Sequence, residues 1–185
     1  ALFGIYISLS NILTTISSGT YEYAIILQNS DEDARDIKKI SLFICLIFCV
    51  IVFTFFFIFK NILINYAKND GAVLLIYLVP ITIIVNTSIQ IERQWAIRGN
   101  YFKILSFNYV INSTFTVLFQ LLFGLVKINS IGLLLGFVLG KMASIIFLKI
   151  GISKKEKRKY NFYILPSFGK IKYLLKKYKD FPLFR

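Results

Sequence analysis

Histidine is absent from the 185 residues, and charged residues make up only 17% of them. The lack of histidine excludes Ser-His-Asp triads and histidine-ligated metal sites. Soluble domains contain about 25% charged residues, whereas this chain is 57% hydrophobic and has a mean hydropathy of +0.69. A soluble globule of this size could not bury so much apolar surface. The composition therefore predicts an integral membrane protein.

Cysteine is also scarce, because the chain has only Cys45 and Cys49, four residues apart in an unbroken apolar run. This spacing does not match a zinc site. Two residues one helical turn apart direct their Cβ atoms along the helix, so they do not form a disulfide with each other. Both cysteines are therefore predicted to be packing residues, which is the usual behaviour of a buried free thiol.

The positive charge is concentrated at one end of the chain. The formal net charge is +13, and the residues from Lys149 onward hold 12 basic and 2 acidic side chains, a net charge of +10. Residues 1–148 hold the other 10 basic and 7 acidic side chains, a net charge of +3. A basic segment that directly follows a membrane span is typical of a cytoplasmic tail, so nucleic-acid binding is not expected.

Five apolar stretches are long enough to cross about 30 Å of hydrocarbon as helices. We therefore predict an all-α, polytopic transmembrane helix bundle over residues 1–150, followed by a basic cytoplasmic tail over 151–185. Ile171, Leu174, Leu175 and Tyr178 follow helical spacing, so the tail is expected to include a short amphipathic helix on the membrane surface. The predicted spans are about 2–27, 40–59, 71–91, 104–126 and 128–148.

The links between the spans alternate in basic content. Lys and Arg are more frequent in 28–39, 92–103 and the tail than in 60–70 and around Lys127. The positive-inside rule places the more basic segments in the cytoplasm. The N-terminus then lies outside, and an odd number of spans from an external start leads us to expect a further helix before the first residue.

Polar side chains recur at helical spacing on one face of three spans. Lipid tails cannot solvate such a face, so it is expected to contact other helices or water. The two alternatives are interhelical hydrogen bonding and the wall of a hydrated cavity. The three rows are Ser8, Asn11, Thr15, Ser18 and Glu22; Thr82, Asn86 and Gln90; and Tyr109, Asn112, Thr116 and Gln120.

Two ionisable residues fall within predicted spans, where a charge is costly unless it is paired or hydrated. Glu22 is expected either to pair with Arg93 or Arg98 or to act as a coupling-ion site or gate. Lys141 lies too far from the end of the fifth span to reach the interface comfortably. It is expected in a water-filled, anion-attracting lumen, with an acidic partner as the alternative.

Two local signals predict how helices begin and pack. Ser30 is a candidate N-cap for the second helix, because the acidic run 31–33 follows it. Gly132, Gly136 and Gly140 share one face of the fifth span and permit close helix approach.

Several short runs, in one order along almost the whole chain, resemble those of a known family. They are similar to runs of the Wzx-type polysaccharide and O-antigen flippases of the multidrug/oligosaccharidyl-lipid/polysaccharide exporter superfamily. The matching positions are the end of that family's second helix, a Trp-x-x-Arg link, a glycine-rich sixth helix and the segment after it. The runs are GTYEYAI (19–25) with DEDA (31–34), QWAIR (94–98) with Phe102 and Lys103, Gly132 and Leu133 with Gly136, and YKDFPL (178–183).

The resemblance implies a membrane transporter and no enzyme. The chain would be an N-terminal-lobe fragment, helices two to six, of a two-lobed transporter with twelve or more helices. Its function would be to flip a polyprenyl-diphosphate-linked oligosaccharide across the bacterial cytoplasmic (inner) membrane for surface polysaccharide synthesis, such as that of lipopolysaccharide. No cofactor is implied. The implied partners are the lipid-linked oligosaccharide and membrane lipids, with a polysaccharide polymerase and glycosyltransferases as further candidates.

Such a cargo needs positive charge for its diphosphate and hydrogen-bonding walls for its sugars. Glu22 is the candidate for ion coupling or gating. Lys141 and Arg98 are the candidates for attracting the diphosphate. The full set of predicted substrate-binding residues is Lys141, Arg98, Asn11, Asn112 and Gln120.

Two other functions remain open on the sequence. One is a related exporter of drugs or of the peptidoglycan precursor. The other is a non-transporting membrane scaffold for a glycan-assembly complex. An enzyme is the weakest option, because the sequence has no acid/base dyad, activated nucleophile or phosphate-binding loop.

Overall fold

The computed structural model describes residues 2–60, 71–126 and 129–156, and the regular structure in these ranges is helical. The predicted all-α class is therefore confirmed for this part of the chain. The predictions for 61–70, Lys127 and the tail beyond Glu156 lie outside the described residues. The helices are α1 (Leu2–Ser17), a 3-10 turn (Tyr21–Tyr23), α2 (Ala24–Leu27), α3 (Asp31–Ile58), α4 (Gly71–Arg98), α5 (Phe102–Leu125) and α6 (Asn129–Glu156).

The first predicted span is not one continuous helix. α1 has 16 residues and ends at Ser17, which gives a length of about 24 Å. Gly19 and Thr20 follow with φ of +58° and +60°, in the left-handed region where a right-handed helix ends. The prediction of a single helix over 2–27 was wrong because membrane helices tolerate glycine, so Gly19 gave no clear stop signal.

α3 begins where the capping signal predicted. The Ser30 hydroxyl accepts a hydrogen bond from the Asp33 backbone N–H at 3.1 Å, and the acidic first turn lies at the positive end of the helix dipole. The helix then continues for 28 residues to Ile58. Most of the predicted link 28–39 is therefore the first part of this helix.

Among the described residues, three helical segments are long and apolar enough to cross a membrane: Asp31–Ile58, Phe102–Leu125 and Ile131–Glu156. α4 is equally long and stays helical through Pro80. Five spans remain a prediction, because only these three segments meet the criterion of length and composition.

α4 is the central helix, packed against α1, α3 and α6, while α5 packs mainly on α6. We call the end where α3 and α5 begin and α4 and α6 end the inner end, which is the predicted cytoplasmic side. One apolar cluster, with Ile37, Ile91 and Trp95, lies there. A second, with Tyr6 and Ile83, lies further along α1, α3, α4 and α6.

The glycine face of α6 brings α5 close. A Cβ built on Gly136 would lie 2.7 Å from the Gln120 backbone N, and one on Gly140 would lie 2.6 Å from Thr116 Cα. Neither distance leaves room for a side chain, so the predicted packing role is confirmed for these two glycines. The contact fixes α5 and α6 as an antiparallel pair.

Candidate functional site

α1 and α4 enclose a row of hydroxyl groups, which we call the buried seam: Tyr6, Ser17, Thr82 and Thr87. The Tyr6 hydroxyl is hydrogen-bonded to the Thr82 hydroxyl, and Ser17 Oγ lies 2.7 Å from Thr87 Oγ1. All four side chains are buried. At Thr82 the polar row of α4 therefore takes part in interhelical hydrogen bonding, one of the two predicted alternatives.

A second set of polar side chains, which we call the open polar face, is not covered by the described helices. On α1 it consists of Ser8, Asn11 and Thr15, and on α5 of Tyr109 and Ser113; all five are exposed. A polar face on an apolar helix is costly against lipid, so it needs water or further protein.

Three half-buried polar residues of α5 lie between its exposed face and α6: Asn112, Thr116 and Gln120. Gln120 Nε2 donates to the Leu133 carbonyl at 3.2 Å, and Thr116 Oγ1 donates to the Asn112 carbonyl at 2.6 Å. Asn112 therefore has a buried acceptor, its side-chain oxygen, without a hydrogen-bond partner among the described residues.

Glu22 lies in the 3-10 turn after α1 and is only 2% exposed. The Ser18 hydroxyl donates to its carboxylate. Neither Arg93 nor Arg98 pairs with it, so the predicted arginine partner was wrong: both guanidinium groups are engaged by other residues. Glu22 is thus a buried carboxyl group without an ion-pair partner among the described residues.

Arg98 lies at the last turn of α4 and joins it to the segment before α3. Its guanidinium contacts Asp31 Oδ1 at 3.0 and 3.3 Å and the Ile25 carbonyl at 3.3 Å, and it also donates to the Gln28 carbonyl. The last two contacts satisfy carbonyl groups at and beyond the end of α2. In this structure, Arg98 therefore connects elements at the inner end.

A buried ion pair, which the sequence analysis missed, joins α3 to α4. Lys38 Nζ lies 2.6 Å from Glu92 Oε2, with side-chain exposures of 8% and 1%. The ammonium also lies 5.3 Å from the centre of the Trp95 ring, whose Nε1 donates to Glu156 Oε1 at 2.6 Å. The spacing of Ala34, Ile37, Lys38 and Ser41 places Lys38 on one helical face with small and apolar residues, which indicates its burial but not its partner.

A cavity of about 660 Å³ opens at the inner end, lined in part by Trp95, Arg98, Tyr101 and the carboxylates of Asp31 and Glu156. Burial raises the pKa of the Tyr101 phenol above its usual value, and the negative charges of Glu156 and Asp31 raise it further. The cavity combines aromatic and charged groups, as is typical of a membrane–water interface.

On the other side of α4, Arg93 points towards α5. Its guanidinium lies 3.3 and 3.4 Å from Asn108 Oδ1 and 4.2 Å from the centre of the Tyr109 ring. The Asn108 amide in turn donates to the carbonyl and the hydroxyl of Ser144, both at 2.8 Å. Lys141 lies one turn before Ser144 on the same face of α6, so the Asn108–Ser144 contact places it one turn from the group that binds Arg93.

Comparison with known proteins identifies the family. A family model described as "Polysaccharide biosynthesis protein" matches residues 1–174. The chain belongs to this family. Neither the curated proteins nor the solved structures provide a significant match. Family membership and the apolar helices together indicate a membrane protein of polysaccharide biosynthesis.

For this family member, the structure brings together only part of the predicted site. Gln120 lies at the α5–α6 contact, Asn112 is half-buried two turns before it on α5, and Lys141 lies on α6 one turn before Ser144. Asn11 is exposed on α1, and Arg98 is engaged at the inner end. Among the described residues, no three Asp, Glu or Cys side chains lie close enough together to hold a metal ion.

Proposed function

We propose that the protein takes part in flipping a polyprenyl-diphosphate-linked oligosaccharide from the cytoplasmic to the outer leaflet of the bacterial inner membrane, as a multi-pass protein and without covalent chemistry. The family supports a role in polysaccharide biosynthesis. The apolar helices support a place in the membrane.

The open polar face is the observation on which this proposal depends. Its hydroxyl and amide groups lie on helices whose other exposed residues are mostly apolar, such as Ile12 and Leu118. A helix built only to sit in lipid has no use for an exposed Asn11 side chain, whereas the Ser113 hydroxyl also donates to the Tyr109 and Val110 carbonyls of its own helix. A path for sugars does need such groups, because each sugar hydroxyl leaves water and requires a hydrogen-bond partner.

In this proposal, Asn11, Asn112 and Gln120 form hydrogen bonds with the sugar, and the Asn112 acceptor without a partner among the described residues serves this role. Lys141 attracts the diphosphate, and Arg98 attracts it at the inner end by exchanging its exposed partner Asp31 for the diphosphate. Glu22, buried without an ion-pair partner among the described residues, couples transport to an ion gradient or acts as a gate.

The test is a flipping assay with the complete protein in proteoliposomes that contain a fluorescent polyprenyl-diphosphate oligosaccharide. Lys141→Ala and Glu22→Gln are each expected to lower the rate about tenfold or more, since a charged contact is worth about 1.5–3 kcal/mol. Lys60→Gln is the matched control, because Lys60 is an exposed lysine at the other end of the bundle. Unchanged rates in both variants would contradict these roles.

A non-transporting scaffold is the second candidate, and the buried seam favours it. In a scaffold, the polar residues serve packing, as Thr82 and Thr87 do. This alternative predicts that the purified protein moves no lipid-linked sugar in the same assay, although it still binds its assembly partners.

A further inference from the structure

Arg93 is held in a fixed position by neutral groups. Asn108 accepts from two nitrogens of its guanidinium, the Tyr109 ring lies beside it, and Ser144 fixes the Asn108 amide. Asn108 is completely buried, so this support is rigid. A guanidinium that is oriented in advance loses little freedom when it binds an anion.

Lys141 approaches Arg93 from α6. It lies on the same helix face as Ser144, three residues away, and its ammonium is 5.3 Å from the centre of the Phe137 ring. Ser144 is hydrogen-bonded to Asn108, which also binds Arg93, so Lys141 lies one helical turn from the residues that position Arg93. The positive charge of Arg93 acts unfavourably on the Lys141 ammonium. α4 and α6, which pack directly against each other, therefore present two cations to the same region, beside α5.

No carboxylate of the described residues forms an ion pair with either cation. The ion pairs in this part of the chain include Lys38–Glu92, Lys39–Asp36 and Arg98–Asp31, and neither Arg93 nor Lys141 takes part in one. Two like charges partly buried in an apolar bundle are unfavourable unless an anion or water compensates them.

From this arrangement we infer that Arg93 and Lys141 together form a binding site for a phosphate-type oxyanion, positioned by Asn108. A guanidinium binds two oxygens of a phosphate at once, and an ammonium adds a point charge. A diphosphate presents enough oxygens to contact both groups. This inference rests on the proposed function, and it names Arg93 as the partner of Lys141 in binding the anionic part of the cargo.

The test is a binding titration of the complete protein in lipid nanodiscs, with two probes. One is polyprenyl diphosphate in the nanodisc, and the other is free inorganic pyrophosphate. Arg93→Gln and Lys141→Gln are each expected to weaken binding of polyprenyl diphosphate about tenfold or more. Lys60→Gln should leave binding unchanged. Arg93→Lys, which keeps the charge but loses the planar fork, should fall between the wild type and Arg93→Gln.

The outcomes separate the inference from the proposed function. Wild-type binding that both glutamine variants retain would overturn the Arg93–Lys141 site and leave the transport proposal standing. Binding of pyrophosphate through these residues, without binding of polyprenyl diphosphate, would support the site and contradict the lipid cargo. No binding of either probe by the wild type would overturn the site. If a glutamine variant does not elute as a folded monodisperse protein, the affinity of Arg93→Lys for polyprenyl diphosphate is the test. An affinity equal to that of the wild type would overturn the bidentate contact of Arg93.

Discussion

Glu92 and Arg93 are neighbours in sequence on α4, but they lie in opposite electrostatic surroundings. Glu92 faces α3 and forms an almost completely buried ion pair with Lys38. Arg93 faces α5 and α6, where its neighbours are an amide, a phenol and a second cation. In the described part of the chain, the two sides of this helix therefore differ in whether a charge is neutralised.

This difference distinguishes a charge that stabilises the fold from a charge that is available to bind a ligand. A charge that is neutralised inside the bundle stabilises a helix contact and leaves nothing to recognise a ligand. A charge without a counter-charge costs folding free energy, and such a cost is typical of a functional site. The α3 side of α4 is thus assigned to stability, and the α5–α6 side to ligand binding.

The largest expected effect on stability comes from breaking the Lys38–Glu92 ion pair on the α3 side of α4. Glu92→Gln leaves the Lys38 ammonium buried without its charge partner, which typically costs about 3–5 kcal/mol. A large fall in melting temperature in detergent is therefore expected. Lys38→Met combined with Glu92→Met should be less harmful than Glu92→Gln alone, because no charge remains buried. Equal stability of Glu92→Gln and the wild type would contradict a structural role for the pair.

A smaller loss of stability is expected from disturbing the α5–α6 contact at Gly140, next to Lys141. Gly140→Ala places a Cβ 2.6 Å from Thr116 Cα, so α5 must shift, at a cost of about 1–3 kcal/mol. Gly124→Ala on α5 is the matched control, because nothing lies within 4 Å of its added Cβ. Thermal unfolding in detergent compares the two variants, and equal melting temperatures would show that close α5–α6 packing is unimportant.

Ser30→Ala is expected to lower the free energy of unfolding by about 1 kcal/mol, because it removes the side-chain acceptor for the Asp33 N–H at the start of α3. α3 positions Lys38 for its pair with Glu92, so this substitution weakens the neutralised side indirectly. Asn29→Ala, at the exposed residue before the cap, serves as the control. Denaturant or thermal unfolding measures the stability of both variants. A control that loses as much stability as Ser30→Ala would contradict the capping role of Ser30.

The smallest effect on stability is expected at Lys141, on the α5–α6 side of α4. Lys141→Met removes a repulsion from Arg93 and replaces a partly buried ammonium with an apolar side chain of similar length. Its melting temperature should match or exceed that of the wild type. A loss comparable to that of Glu92→Gln would mean that Lys141 has a structural partner, and the contrast between the two sides of α4 would not hold.

The sequence predicted the features that depend on local spacing. The start of α3 at Ser30, the helices α3 to α6 and the packing role of Gly136 and Gly140 are all encoded within a few residues. The break after Ser17 was missed, because Gly19 and Thr20 adopt positive φ in a stretch whose hydrophobicity continues on both sides.

The pairing of charges could not be predicted, because it depends on which helix faces which. Lys38 and Glu92 are 54 residues apart, and no spacing rule relates them. The same limit applies to α1, which has a second row of helical period, Ser10, Thr14 and Ser17. Packing against α4 buries this row, whereas part of the row identified from the sequence, including Asn11, stays exposed. Both rows are visible in the sequence, and only tertiary contacts distinguish them.

The most direct test of the account is whether the open polar face is hydrated in the membrane. Asn11→Cys and Asn112→Cys would be compared with Ser17→Cys of the buried seam, in native membranes with a water-soluble maleimide. The two native cysteines are buried and free, so they provide the background. The account predicts that Asn11→Cys reacts at least about tenfold faster than Ser17→Cys, with Asn112→Cys between them. Equally slow reaction at all three positions would contradict a hydrated path and favour a dry scaffold.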